Sequence, residues 1–215
     1  MENTVIGNNG IEFHVEPRKV ITWEEFIKTK PPFSIALDGY VYGPPNINLS
    51  GSLLNLNHHE GVDRLATKST SGQMFAYIKA GLFKKFKDSN GPRAILWLND
   101  PDQDSALSSW LAIHHERLEG QRSEPLINRL IFAEDNLDAT AGAYPFSLES
   151  ELMKQVSWIF DPYTSIRENI PKMNGKEMEN VIESIHERVN CYTLGNLPSN
   201  LPLPDDRYEK IYSGS

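Results

Sequence analysis

The chain has 215 residues, a formal net charge of −8, 39% apolar and 23% charged residues. This balance excludes a disordered chain and suits one substantial globular domain, or one domain with a short appendage. The acidic charge argues against tight, sequence-blind binding of long duplex nucleic acid, which needs a broad cationic surface. A short nucleotide held by metal ions and a few basic side chains remains compatible with it.

Residues 1–21 carry no clear signal. Thr22 with Glu25 forms a capping box, which predicts a short helix over TWEEFIKT that Pro31 and Pro32 stop. FSIALD (33–38) reads as a buried strand, and a Gly/Pro/Asn-rich loop separates it from a second strand, SLLNLN (52–57). Thr70 with Gln73 forms another capping box. The helix it opens carries Met74, Tyr77, Ile78, Phe83 and Phe86 and ends in the basic KKFK. AILWLN (94–99) is the third strand. A helix follows from about Ser105 to its stop at Gly120. RLIFAE (129–134) reads as a fourth strand. Two more helices are expected: SLESELMKQVSWIF, ended by Pro162, and NGKEMENVIESIHERVN, capped by Asn174 with Glu177 three residues on. The tail from Gly195 is expected to wrap the surface or fray.

Strands separated by helices, apolar on both faces, predict an α/β fold with a mostly parallel sheet flanked by helices. The expected division is a core over 1–165 and a small C-terminal helical appendage over 166–215. No apolar run reaches the roughly 20 residues that span a bilayer. The start, MENTVIGNNGIEF, lacks the basic-then-apolar pattern of a secretory signal. Cys191 is the single cysteine, so a reducing, cytoplasmic setting is expected. The sequence leaves the oligomeric state open.

The informative pattern lies after each predicted strand. FSIALD ends in Asp38. SLLNLN is followed by His58, His59 and Glu60. AILWLN is followed by Asp100, Asp102 and Asp104. RLIFAE ends in Glu134, then Asp135 and Asp138. In open parallel sheets functional groups gather beyond the carboxyl ends of the strands. Two carboxylates about 5 Å apart repel by about 3 kcal/mol at an effective dielectric of 20. A cluster therefore needs cations between its members, and a pair of divalent ions also supplies a way to activate water for phosphoryl displacement. Mixed Asp/His ligation favours manganese, zinc or a similar transition metal over a purely oxygen-liking ion; Mn2+ is the expected ion, with Mg2+ or Zn2+ as alternatives. Each aspartate alone reads more simply as a turn residue; the coincidence at four strand ends points to metal. His114 and His115 are adjacent on a helix and cannot both face one site, so packing roles are expected for them. His14 and His186 read as unremarkable. Arg64, Lys68, Ser69 and Thr70 sit between the histidines and a helix start, where free N–H groups and hydroxyls make an anion site.

A strand leading to His-His, then a Ser/Thr cluster opening a helix, resembles the third motif of the DHH phosphoesterases. Asp38 is similar to that superfamily's metal-bridging aspartate, and ILWLNDPDQDSALSSWLA resembles its Asn-Pro-Asp-x-Asp signature. The resemblance covers roughly residues 33–140. It implies two divalent metals held by Asp38, His58, His59, Asp102 and Asp104. Asp100 and His58 are then the candidate catalytic residues, with Arg64, Lys68, Ser69 and Thr70 on a small phosphorylated substrate. The pattern departs from the family in three respects. The histidine pair follows Asn57 rather than Asp, the Asn-Pro-Asp-x-Asp segment follows the histidines, and the substrate-gripping second domain is missing. These departures support an alternative reading, a catalytically inactive nucleotide- or partner-binding module. Metal-dependent hydrolysis of other bonds, such as amides, is a third. No Gly-x-Ser-x-Gly elbow supports serine catalysis.

Overall fold

The computed structural model describes residues 5, 6 and 10–201. It shows a mixed α/β fold whose centre is a six-stranded sheet. The strands are β1 (Val5–Ile6), β2 (Ile11–Val15), β3 (Ser34–Ala36), β4 (Asn46–Asn48), β5 (Leu53–Asn55) and β6 (Ala94–Leu98). Their order across the sheet is β1-β2-β6-β3-β5-β4. The four inner strands are parallel, with Leu96 opposite both Phe13 and Ile35, and Ile35 opposite Leu54. β1 and β4 pair antiparallel at the two edges.

Side chains alternate across this sheet with the two-residue period of a strand. Ile11, Phe13, Ile35, Leu54, Ala94, Leu96 and Leu98 join the larger core. Ala36, Leu53, Ile95 and Trp97 join a smaller one with Ile21, Phe26, Tyr40 and Val41. Phe26 comes from α1 (Trp23–Thr29), which Thr22 caps as expected by accepting from the Glu25 N–H. The larger core is built with α2 (Thr70–Lys79), α3 (Gln103–Ile113), α4 (Pro125–Ala139), α5 (Glu151–Thr164) and α6 (Gly175–Thr193). Every residue of α3 from Asp104 to Ala112 is buried, so it is the central helix of this layer. α6 carries the expected Asn174–Glu177 capping box and places Ile182, Ile185 and Val189 in the same core as Trp110. Among the described residues no helix is long and apolar enough to cross a membrane.

Several elements differ from expectation. RLIFAE is not a strand; it lies within α4, where Ile127, Leu130, Ile131, Glu134 and Leu137 are buried at helical spacing behind Pro125 in the first turn. The fourth parallel strand is instead β2, in the amino-terminal segment that carried no clear signal. α2 is capped by Ser69, not Thr70, and stops at Lys79; Phe83 lies in a 3-10 turn at Leu82–Lys84. α3 ends at Ile113 and a 3-10 turn at His115–Arg117 follows. Pro162 sits inside α5 rather than ending it. Proline offers no N–H to the carbonyl four residues back, and that carbonyl, on Trp158, accepts instead from the Arg188 guanidinium of α6. Residues 202–215 of the expected tail lie outside the described residues.

Candidate metal centre

Three loops after parallel strands and one helix build the site. After β3 the chain runs through Leu37 to Asp38 and turns at Gly39, whose φ of 70° favours glycine. The Tyr40 N–H closes the turn on the Leu37 carbonyl at 3.0 Å. After β5 the chain reaches His58 and His59 through Asn57, which is fully buried. The Asn57 amide donates to the carbonyls of Val41 (3.1 Å) and Gly43 (2.9 Å) and to Glu60, and its oxygen accepts from the His59 N–H at 3.1 Å. Asn57 is thus a latch that sets the direction of the histidine pair and does not belong to the cluster. An aspartate could not donate to those two carbonyls. Replacement of Asn57 by Asp is expected to destabilise the chain by roughly 2–4 kcal/mol in urea unfolding, not to add a ligand.

After β6, Asp102 caps α3 by accepting from the Ser105 N–H at 2.7 Å, and Asp104 sits in the first turn. The fourth contribution comes from α4. Glu134 and Asp138 are four residues apart and so share one face of the helix; both line the same cavity as Asp38, Asp102 and Asp104.

His58 lies at the centre and is completely buried. Its Nε2 is 2.8 Å from Asp138 Oδ2, 3.4 Å from Asp38 Oδ1 and 3.6 Å from Asp104 Oδ2. His59 Nε2 is 2.6 Å from Asp38 Oδ1. These short approaches are not aligned hydrogen bonds: both ring nitrogens of His58 and Oδ1 of Asp38 are buried without a hydrogen-bond partner. Buried polar atoms are nearly always satisfied, so the cluster is completed either by protons shared in the close His–Asp pairs or by a cation. Two groups of three, Asp38–His58–His59 and His58–Asp104–Asp138, hold ligand atoms within 4.8 Å of one another. Oxygen and imidazole donors at this spacing fit a divalent transition ion. A metal would be held by Asp38, His58, His59, Asp104 and Asp138, with Asp102 against Asp38.

The electrostatics agree with that fit. Burial pushes Asp102 and Glu134 well above the usual carboxylate range, and the neighbouring carboxylates add to the push. Burial beside Asp38 and Asp138 raises Asp104 to about 7. Burial and the Asp38 charge raise Asp100 to about 6, against the opposing pull of Arg167 and Tyr163. Burial works against the charged form of His58, but Asp138 and Asp38 outweigh it and lift it to about 10. Asp38 goes the other way: despite burial, His58 and His59 hold its carboxyl well below the usual range. Such opposed shifts among contiguous groups store charge, as functional sites and structural ion-pair networks both do. The protein alone neutralises this cluster with protons; a divalent cation would replace them.

The helix start that suggested a phosphate site already holds an anion, and it is the protein's own. The N–H groups of Thr70 and Ser71 donate to the two oxygens of Asp104, at 2.5 and 2.8 Å. The Ser69 N–H donates to Asp135 at 2.7 Å, and a Cβ on Gly72 would stand 2.7 Å from that same carboxylate oxygen. Glycine is therefore needed there for α4 to close on α2. The Ser69 hydroxyl accepts from the Gly72 N–H, and the Thr70 hydroxyl donates to the Leu56 carbonyl. Both hydroxyls are buried, and Lys68 pairs with Asp135 at 3.0 Å. Lys68, Ser69 and Thr70 are not among the residues that line the cavity. Arg64 does line the cavity, with its guanidinium 2.8 Å from the Asp138 carbonyl.

The helical histidines pack as expected: His115 stacks on Phe83 and His114 on Trp110. His186 is less ordinary than its sequence context suggests. It bonds to Ser109 and the Ala106 carbonyl, and burial lowers it to about 4.

The cluster opens into a cavity of about 320 Å³ walled also by Gln103, Leu137, Tyr163 and Arg167. Tyr163 and Arg167 were not foreseen. They belong to the end of α5 and the turn after it, and only the packing of α5 brings them across from Asp100. Fold and site together define an α/β protein with a buried Asp/His cluster that could hold a metal ion. No protein-family model, curated protein or solved structure matches the chain.

Proposed function

We propose that the chain is a metal-dependent phosphohydrolase, similar in its site to the DHH phosphoesterases, acting on a small phosphoester of the nucleotide, oligonucleotide-end or pyrophosphate type. The observation that carries the reading is the completely buried His58, unbonded at both ring nitrogens and ringed by Asp38, Asp104 and Asp138. Two divalent ions, of which Mn2+ suits the donors best, would supply charge neutralisation and a water acidic enough to attack at neutral pH. The remaining work falls to the chain. Asp38 sits between the two imidazoles and orients both. The Thr70 and Ser71 N–H groups lock Asp104 so that its oxygens cannot swing away. Asp100, whose carboxyl burial and Asp38 raise to about 6, is the candidate proton carrier in this reading. The test is to strip the full chain with chelator, restore Mn2+, and assay bis(p-nitrophenyl) phosphate and a nucleoside 5′-phosphate ester. Metal uptake with turnover supports the reading; no uptake and no turnover removes it.

Asn57 favours a second reading, a catalytically silent nucleotide- or partner-binding module, because the family's aspartate at that place is here a structural latch. His58→Ala and Asp102→Ala separate the two. An enzyme loses rate by orders of magnitude, whereas a binder changes only in affinity.

A further inference from the structure

With ions neutralising the acidic cluster, any further positive charge for an anionic substrate comes from the basic side chains that line the cavity. Two cations line it, Arg64 and Arg167. Arg64 is committed: its guanidinium bonds the Asp138 carbonyl and lies 3.4 Å from both carboxylate oxygens of the same residue. Arg167 is exposed and, among the described residues, makes no hydrogen bond or ion pair. Its surroundings are Tyr163, one helical turn before it, and Asp100, whose charge it eases. Arginine presents a planar fork of donors that matches phosphate oxygens two at a time. Leu137, Ala141 and Gly142 complete the wall with apolar or small groups. The volume, about 320 Å³, stands near the lower end of the roughly 300–1,000 Å³ range of small-molecule sites.

We propose that Arg167 is the substrate-phosphate ligand of this site, and that the cavity takes a compact phosphate ester no larger than about a mononucleotide. This rests on the phosphohydrolase reading and narrows it. The non-bridging phosphate oxygens would face Arg167, and the small apolar wall at Leu137 and Ala141 would lie along the ester group.

The test uses the full chain loaded with Mn2+, with inorganic phosphate as probe, read by thermal shift and by isothermal titration. Arg167→Ala is expected to weaken phosphate binding by at least tenfold and Arg167→Lys by less, with Mn2+ affinity unchanged in both. In the hydrolysis assay the Arg167→Ala loss should fall on KM for a nucleoside 5′-phosphate ester, and a ten-nucleotide oligomer should be a poorer substrate than the monomeric ester. Equal phosphate affinity in Arg167→Ala and the wild-type chain overturns the assignment and leaves the phosphohydrolase reading standing. A preference for the oligomer overturns the size limit. Absence of Mn2+ uptake and turnover by the wild-type chain overturns both readings together.

Discussion

Replacing Asp38 by Asn is expected to lower Mn2+ affinity by at least about 100-fold, since even the partners that merely orient metal ligands are worth about 10–100-fold. Any turnover should fall by at least about 10²–10³-fold, the scale of losing one electrostatic stabiliser in an active site. Asp38 has this weight because it bridges the two histidines. Its Oδ1 meets His59 at 2.6 Å and His58 at 3.4 Å, and Asp102 bears on it as well. An amide keeps the shape but removes the charge that holds both imidazoles. Isothermal titration of chelator-treated protein with Mn2+, run beside circular dichroism, reads the loss and shows whether the fold survives. Lys68→Ala is the control: its partner Asp135 lies behind the cluster, so metal uptake should be unchanged. Wild-type metal affinity in Asp38→Asn would remove Asp38 from the site.

The second large effect is a reversal of pH dependence by metal. The folded values of Asp104 (about 7) and Asp100 (about 6) stand above the 3.8 of an ordinary aspartate, and Asp102 and Glu134 are raised too. A carboxyl raised on folding contributes stability while it is protonated and loses it as pH rises through the folded value. His58, raised from 6.5 to about 10, contributes stability that is full below 6.5 and is lost as pH climbs toward 10. Both effects have the same sign above pH 6.5. The metal-free chain should therefore lose stability from pH 6.5 to 8.5, at about 1.4 kcal/mol per pH unit for each extra proton bound by the folded state. Below 6.5 the buried, neutral His186 works the other way, because its folded value of about 4 lets the unfolded chain take the proton first. Asp38, held low, likewise favours the fold as pH rises through the acid range.

A divalent ion changes the sign at neutral pH because it displaces those protons. Mn2+ affinity should rise steeply from pH 5.5 to 8, with proton release that depends on the buffer's ionisation enthalpy. At a hundred times its dissociation constant the ion adds about 2.7 kcal/mol, which for a chain of this size raises Tm by roughly 5–10 °C. Urea unfolding at pH 6.5 and 8.5, with chelator and with Mn2+, measures all of this. A metal-free chain equally stable at both values, and unmoved by Mn2+, would remove the charge-storage account.

The residues that meet at the centre were visible in the chain because chemistry after a strand is a local signal. Asp38, His58, His59 and the Asp100–Asp104 run each stand directly beyond an apolar strand, and in a parallel sheet the ends of neighbouring strands share one edge. The capping box at Asn174 and the helix at Trp23–Thr29 were equally local. Periodicity misled where a six-residue apolar run suits either structure: RLIFAE reads as a strand, yet Pro125 and the spacing through Leu137 make it part of a longer helix. The mistake hid the reason Glu134 and Asp138 share a face. β2 alternates apolar and polar residues, but over only five positions, and its place in the sheet comes from pairing with the distant β6.

Other features depended on contacts between distant segments, which no local pattern encodes. The start of α2 offers N–H groups to any anion, and only the packing of α3 and α4 decided that Asp104 and Asp135 would take them. Asn57 stands next to the histidine pair in the chain, but the carbonyls of Val41 and Gly43 claim its amide. Tyr163 and Arg167 lie more than sixty residues beyond Asp100 in the chain and reach it because α5 passes the mouth of the cavity. Local sequence could thus nominate the groups that gather charge, since strand and cap signals act over a few residues. Which of them are buried, which are bonded and what faces them was decided by helix packing, where the low dielectric of a shared interior sets their protonation.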